Sequence, residues 1–289
     1  MTVSVLSDIA CELGEGPTYD RHTDTLWWFD IVGRKLFEWP FSEGAARVHE
    51  LPFMASVLAR VDDENQLIAA EDGLYMRETS CGAFKLIKPL EADNAATRSN
   101  DGRVHPSGAL WIGTMGKQAE DGAGAIYWYF KGELRQLYPK ISIPNSICFS
   151  PDGAIAYFAD TRTNRIMKVA CDPATGLPKG EPELFFDNDG NRGWPDGAVC
   201  DADGNVWSAR WGGNAIDTYS PAGERIHTIE MPASRISCPA FIGANADRMA
   251  ATSAWQGIAE AKRAADPQAG FTFLVDIEVK GRFEPDVKI

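Results

Sequence analysis

The sequence predicts an all-β chain built as a six-bladed β-propeller, one domain over residues 1–289. Three observations predict it. Six segments couple a turn to an apolar strand: DTLWWFD from Asp24, NQLIAAED from Asn65, GALWIGTM from Gly108, GAIAYFAD from Gly153, GNVWSARW from Gly204 and DRMAATSA from Asp247. Their starts lie 41, 43, 45, 51 and 43 residues apart, a period typical of propeller blades with several strands each. The six copies fill the chain from end to end.

Each blade has a legible beginning. An inner strand runs into a tight turn and a second strand returns. HPSGAL, SPDGAI and DADGNV carry the Pro, Asp and Gly that such hairpin turns demand. The returning strands are rich in aromatic residues, which suit a half-buried pleated surface. Trp27, Trp28, Trp111 and Trp207 are therefore expected in the packing between blades. Weaker strands follow in GRKLFEWP, GLYMRE, GAIYWYF, NRIMKVAC and AIDTYS. Only the stretch from Ala254 to about Ala265 has helical composition. The last strand, in FTFLVDIEVK, or the N-terminal TVSVLSDI should close the ring by pairing the chain ends, so that no open edge remains.

Composition narrows the function. Hydrophobic residues make up 44% and charged residues 24%, ordinary for a soluble domain with a sizeable core. The net charge of −13 argues against nucleic acid and against an anionic membrane, both of which attract a Lys/Arg surplus. No run approaches the roughly 20 apolar residues of a membrane span. The N-terminus lacks the basic and apolar regions of a signal peptide. Six cysteines without CxxC spacing read as reduced thiols, so a cytoplasmic protein is expected, a monomer or small homo-oligomer. Four histidines without HxxxH spacing make a histidine-based zinc site a poor fit. There is no GxSxG elbow and no phosphate-binding glycine loop. FDNDGNRG faintly resembles an EF-hand loop, but Ala198 stands where the bidentate Glu belongs.

One position recurs. Asn100 stands eight residues before Gly108, Asn145 eight before Gly153, and Asp196 eight before Gly204. Glu15 lies nine before the turn residue Asp24, one step out of register. A single Asn or Asp at a strand head is adequately explained as a turn cap. The same position filled in three repeats, with a Glu nearby, points to a metal site on a common axis. The donors are oxygens only, two carboxylates and two amides. Ca²⁺ takes such ligands most readily; Mg²⁺, Mn²⁺ and Zn²⁺ also accept them.

LGEGP, RSNDGRVHPSGALWIGTM, NSICFSPDG, FADT and PDGAVCDADGNVW resemble the senescence-marker-protein/gluconolactonase family, which includes regucalcin and the bacterial sugar lactonases. The resemblance runs through nearly the whole chain, in order. It implies a six-bladed propeller with one divalent metal ion on its axis, held by Glu15, Asn145 and Asp196. The family's R-x-N-D motif, which binds substrate, falls on Arg98, Asn100 and Asp101; its Arg and Asn contact the substrate and the Asn lies close to the metal. The implied reaction opens a sugar lactone, an aldono-1,4- or 1,5-lactone, to the aldonic acid; the chemistry of such a site makes Asp196, or a metal-bound water it polarises, the base. Other readings of the same residues are a metal-dependent hydrolase of another ester, such as an organophosphate, a calcium-binding regulatory protein of regucalcin type, and a propeller used only as a binding platform. Two departures stand out. Asn145-Ser146 replaces the usual Asn-Gly. The loop KQAEDGAG is short, leaving Glu120 and Asp121 as candidates for an acidic substrate contact. Trp194 and Trp211 suit either stacking on a sugar face or blade packing.

Overall fold

Alternating apolar positions separated by glycine- and aspartate-containing turns fold here into antiparallel meanders. The computed structural model describes residues 2–289. Six four-stranded sheets account for all the strands, the architecture of a six-bladed β-propeller. They fall into two compact units of three sheets.

The first unit comprises Met1–Leu51 and Asn188–Phe283. One of its sheets joins β2 (Gly14–Asp20), β3 (Thr25–Asp30), β4 (Lys35–Pro40) and β5 (Arg47–Glu50). A second joins β18 (Trp194–Cys200), β19 (Val206–Trp211), β20 (Ala215–Tyr219) and β21 (Arg225–Glu230). The third runs β22 (Ile236–Ile242), β23 (Arg248–Ser253), β24 (Thr272–Asp276) and then the N-terminal β1 (Thr2–Ser7). Both segments named as closing strands thus take part: β1 pairs antiparallel with β24, Thr2 opposite Asp276 and Val3 opposite Val275.

The second unit comprises Pro52–Asp187 and the tail Glu284–Ile289. Its sheets are β6 (Ala55–Arg60) to β9 (Phe84–Pro89) through β7 (Asn65–Ala70) and β8 (Gly73–Glu78); β10 (Thr97–Val104) to β13 (Glu133–Ile141) through β11 (Leu110–Gly116) and β12 (Gly124–Phe130); and β14 (Pro144–Phe149) to β17 (Glu183–Asp187) through β15 (Ile155–Asp160) and β16 (Arg165–Ala170).

The tryptophans on the returning strands are core, as their spacing predicts. Trp28 packs with Phe37, Ala240 and Ile242, and Trp207 packs with Ile216, Phe241 and Met249. Trp111 packs with Ile126, Ile147 and Phe149 and donates its Nε1–H to the Gly176 carbonyl at 2.9 Å. Trp27 is buried too, its ring 6.0 Å from that of His49. Each large side chain removed from water contributes about 1.5–3 kcal/mol, so the wedges between sheets dominate the packing energy.

The helical expectation shrinks. Within residues 254–265, Glu260–Arg263 alone forms a helix, α1, and none of its residues is buried. One turn without a buried face cannot offset its nucleation cost, and Gly257 and Pro267 bound the segment. No helix among the described residues is long and apolar enough to cross a membrane. No disulfide forms among the six cysteines.

Candidate functional site

A hydrogen-bonded ladder presents alternate side chains to opposite faces, and an inserted residue re-aims the side chains after it. The inner strand of every sheet carries such a bulge; in β6, between Ala55 and Val57, and in β22, between Ile236 and Pro239, a serine stands there (Ser56 and Ser237), and in the other four a larger polar side chain does. The register shifts between Glu15 and Thr18 in β2, Ser99 and Gly102 in β10, Asn145 and Cys148 in β14, and Pro195 and Ala198 in β18. Cross-strand partners show the equivalence. Gly14 pairs with Asp30, Ser99 with Thr114, Pro144 with Asp160 and Pro195 with Arg210. The residue following each of these is Glu15, Asn100, Asn145 or Asp196. Counted from the turn, Glu15 is one step out; counted from its cross-strand neighbour, it is equivalent to the others.

In the first unit Glu15 and Asp196 are both buried, 7% and 4% exposed. The sheet of β22 packs against both strands that carry them. Ser237 Oγ donates to the Gly14 carbonyl at 2.5 Å, beside Glu15. On the other flank Gly197, next to Asp196, sits so close to Cys238 that a Cβ there would collide with its Sγ. Glu15 Oε2 accepts the Gly16 N–H at 3.0 Å. Gly16 has φ +56°, the left-handed region. Ser146, which follows Asn145, has φ +53°, so the serine that departs from the Asn-Gly pattern occupies backbone better suited to glycine.

In the second unit Arg98, Asn100 and Asn145 form one chain of hydrogen bonds. Arg98 Nη1 donates to the Ser99 carbonyl and to Asn100 Oδ1, both at 2.8 Å. Asn100 Nδ2 donates to the Pro144 carbonyl at 2.9 Å and to Asn145 Oδ1 at 3.1 Å. Asn145 Nδ2 donates to Thr161 Oγ1 at 2.8 Å. Arg98 is buried, and Glu91 accepts from Thr114 and Tyr127 at 2.8 Å each.

Asp101 lies behind this chain. Its Oδ1 accepts the Gly102 N–H at 2.9 Å and its Oδ2 the Ile147 N–H at 2.7 Å, tying β10 to β14. Burial pushes its carboxyl up to about 6, against the pull of the Arg103 guanidinium and the two backbone N–H groups. Arg103 in turn pairs with Glu284 of the C-terminal tail.

The remaining candidates are spread out. Trp194 lies opposite Trp211 in the ladder and is 50% exposed. Arg235 stacks over the Trp211 ring at 5.1 Å. Glu120 and Asp121 are exposed; Asp121 pairs with Arg162 at 2.9 Å, and Glu120 Oε2 accepts the Gln118 N–H at 3.1 Å. Thr161, Asp160, Asp30 and Ser237 were not singled out from sequence as site residues. FADT was visible as a motif, but nothing in its spacing said what it touches.

Each unit offers buried side-chain oxygens of the kind a hard cation takes. Glu15, Asn145 and Asp196 offer only oxygens, all on buried residues, and the Asn145 amide is oriented by partners at both of its ends. Among the described residues no three His, Cys, Asp or Glu side chains cluster as a metal site.

Residues 13–255 match the model of the SMP-30/gluconolactonase/LRE-like region, and the chain belongs to that family. It is 54% identical over 284 residues to a Rhizobium meliloti (strain 1021) protein assigned as a sugar lactone lactonase, covering 98% of this chain and 96% of that one. It is 32% identical over 284 residues to the L-arabinolactonase of Azospirillum brasilense, covering 96% and 93%. The crystal structure of regucalcin, a calcium-binding protein from Agrobacterium tumefaciens str. C58, superposes with a TM-score of 0.97 at 52% identity, over 99% of this chain and 97% of that one.

Proposed function

We propose that this protein is a sugar lactone hydrolase that opens an aldono-1,4- or 1,5-lactone to its aldonic acid with the help of one divalent cation. The observation that carries the proposal is the repeated bulge position, filled by Glu15, Asn145 and Asp196 as buried oxygen donors. The relatives support the substrate class: one is assigned to sugar lactones and another is an L-arabinolactonase. The Agrobacterium relative, a calcium-binding protein, supports Ca²⁺ as the first ion to test.

Glu15, Asn145 and Asp196 would hold the cation. When bound, it would supply Lewis-acid stabilisation for the negative charge that develops on a lactone carbonyl oxygen. The chain's own residues do the rest. Asp196, as a carboxylate, takes the proton of the attacking water. Arg98 and the Asn100 amide bind and orient the ring hydroxyls, since a guanidinium presents fixed donors and an amide both a donor and an acceptor. As the bond from the carbonyl carbon to the ring oxygen breaks, Asp196 returns the proton to that oxygen, and the hydroxy acid releases its acid proton to solvent and leaves as its anion.

A second reading, a calcium-binding regulatory protein of regucalcin type, uses the same donors and the same Agrobacterium relative. A substrate panel separates the readings. Pentono- and hexono-lactones of both ring sizes, a phosphotriester and an aryl ester are offered to the metal-loaded protein, and acid release is followed by pH indicator. Turnover of aldonolactones well above the other two classes is the expected result. Ca²⁺ binding without turnover of any lactone would favour the regulatory reading, and preferred turnover of the phosphotriester would overturn the sugar assignment.

A further inference from the structure

FADT, residues Phe158–Thr161, is the motif that the proposed function leaves unused. We propose that its last two residues are positioning residues for Asn145: Asp160 fixes the backbone that carries the amide, and Thr161 fixes which end of the amide serves as ligand. The inference rests on the reading of Asn145 as a metal ligand.

Asp160 ends β15 opposite Pro144. Its Oδ2 accepts the Ser142 N–H at 2.9 Å and its Oδ1 the Ile143 N–H at 3.0 Å, the two amides just upstream of Pro144-Asn145. Oδ1 also caps the turn beyond β15, accepting the Arg162 N–H at 3.1 Å. The Thr161 N–H returns to the Ile143 carbonyl at 2.9 Å. The head of β14 and Thr161 are thereby locked to one another.

The same clamp occurs in the first unit, at Glu15. Asp30 ends β3 opposite Gly14. Its carboxylate accepts the N–H groups of Glu12 at 2.9 Å, Leu13 at 3.0 Å and Gly33 at 3.0 Å, and the Ile31 N–H returns to the Leu13 carbonyl at 3.0 Å. The residue that follows the clamping aspartate differs between the two copies. Thr161 follows Asp160, whereas the buried Ile31 follows Asp30. At the third position Trp211 follows Arg210.

The difference tracks the ligand. Glu15 and Asp196 are carboxylates, whose two ends are both oxygen. Asn145 is an amide, and a flip would present its NH₂ to a cation in place of its oxygen. The hydroxyl stands only beside the amide. A guanidinium can only donate, so Arg98 fixes the oxygen end of Asn100, whose NH₂ then faces Asn145 Oδ1. Thr161 accepts from the far end, Asn145 Nδ2, and completes the direction Arg98 to Asn100 to Asn145 to Thr161. A lone pair of Asn145 Oδ1 remains for a ligated ion.

Calorimetric titration of chelator-stripped protein with Ca²⁺ tests this, with the melting temperature of the stripped form measured alongside. Thr161→Val is expected to weaken Ca²⁺ binding about 10–100-fold, the usual cost of losing a partner that orients a ligand. Thr161→Ser, which keeps the acceptor, is expected to restore binding to within a few-fold of wild type. Thr161→Ala, which adds no methyl group, should match Thr161→Val and stands in for it if that variant does not fold. A melting temperature that falls equally in the Ser and Val variants while only Val loses affinity supports orientation over stability. Wild-type affinity in both Thr161→Val and Thr161→Ala, with Asn145→Ala losing binding, overturns the role of Thr161 and leaves the ligand reading standing. Wild-type affinity in Asn145→Ala overturns both.

Discussion

Asp196→Asn is expected to lower kcat by about 10²–10⁴-fold, the usual contribution of a general base. The substitution keeps the size of the side chain and one oxygen. It removes a charge and the only group at that position able to take a proton. Asp196 is 4% exposed, in the bulge of β18 next to Gly197, whose missing Cβ lets Cys238 approach. A side chain packed this tightly has little freedom to move aside, so the loss should appear in kcat more than in KM. Steady-state kinetics on the purified variant, with bound metal quantified, checks this. A variant that keeps its metal and wild-type kcat would reduce Asp196 to a ligand without a proton-transfer role.

Arg98→Ala is expected to lower kcat/KM for hydroxylated lactones by about 1.5–3 kcal/mol, the scale of a hydrogen bond to a charged group, or roughly 10–150-fold. An unsubstituted lactone such as γ-butyrolactone should lose less. Part of the loss will be common to both substrates, because Arg98 Nη1 also holds Asn100 Oδ1. The difference between the two substrates therefore isolates recognition of the ring hydroxyls. Kinetics of both lactones on both proteins gives that difference. Equal losses would confine Arg98 to holding Asn100, and no loss on either substrate would remove it from the site.

Much of the fold could be read from residues because each blade advertises its first hairpin. DADGNVW fixes a turn and the start of an aromatic strand in seven letters, and Trp207 is core for the reason its sequence suggests. The outermost strands could not be read in the same way. RVHE in β5 and RIHTIE in β21 are mostly exposed, so no buried face imposes a period on them. The spacing of Asn100, Asn145 and Asp196 was visible because they hold one register ahead of similar turns. Glu15 looked displaced because turn lengths vary between hairpins; its true register is set by Gly14 opposite Asp30, a pairing that only the folded ladder reveals. Asp101 shows the limit most clearly. Its place in an R-x-N-D motif suggests contact with substrate, and nothing in that motif shows that its two oxygens accept backbone N–H groups from two strands, one of them 46 residues away. We propose that any contact it makes with substrate is secondary to this bracing of β10 and β14. Thr161 accepts from Asn145 across a shorter gap, 16 residues, and only a folded chain brings that pair together.

The central claim is that Glu15, Asn145 and Asp196 hold a divalent cation on which lactone opening depends. The most direct test is to strip the protein with a chelator, verify the loss by elemental analysis, and titrate Ca²⁺, Mg²⁺, Mn²⁺ and Zn²⁺ back singly while following aldonolactone hydrolysis and far-UV circular dichroism. The account predicts that hydrolysis disappears on stripping, that the β-sheet spectrum persists because the sheets pack through their own apolar cores, and that one equivalent of at least one of these ions restores turnover. Full hydrolysis by protein shown to be metal-free would contradict it.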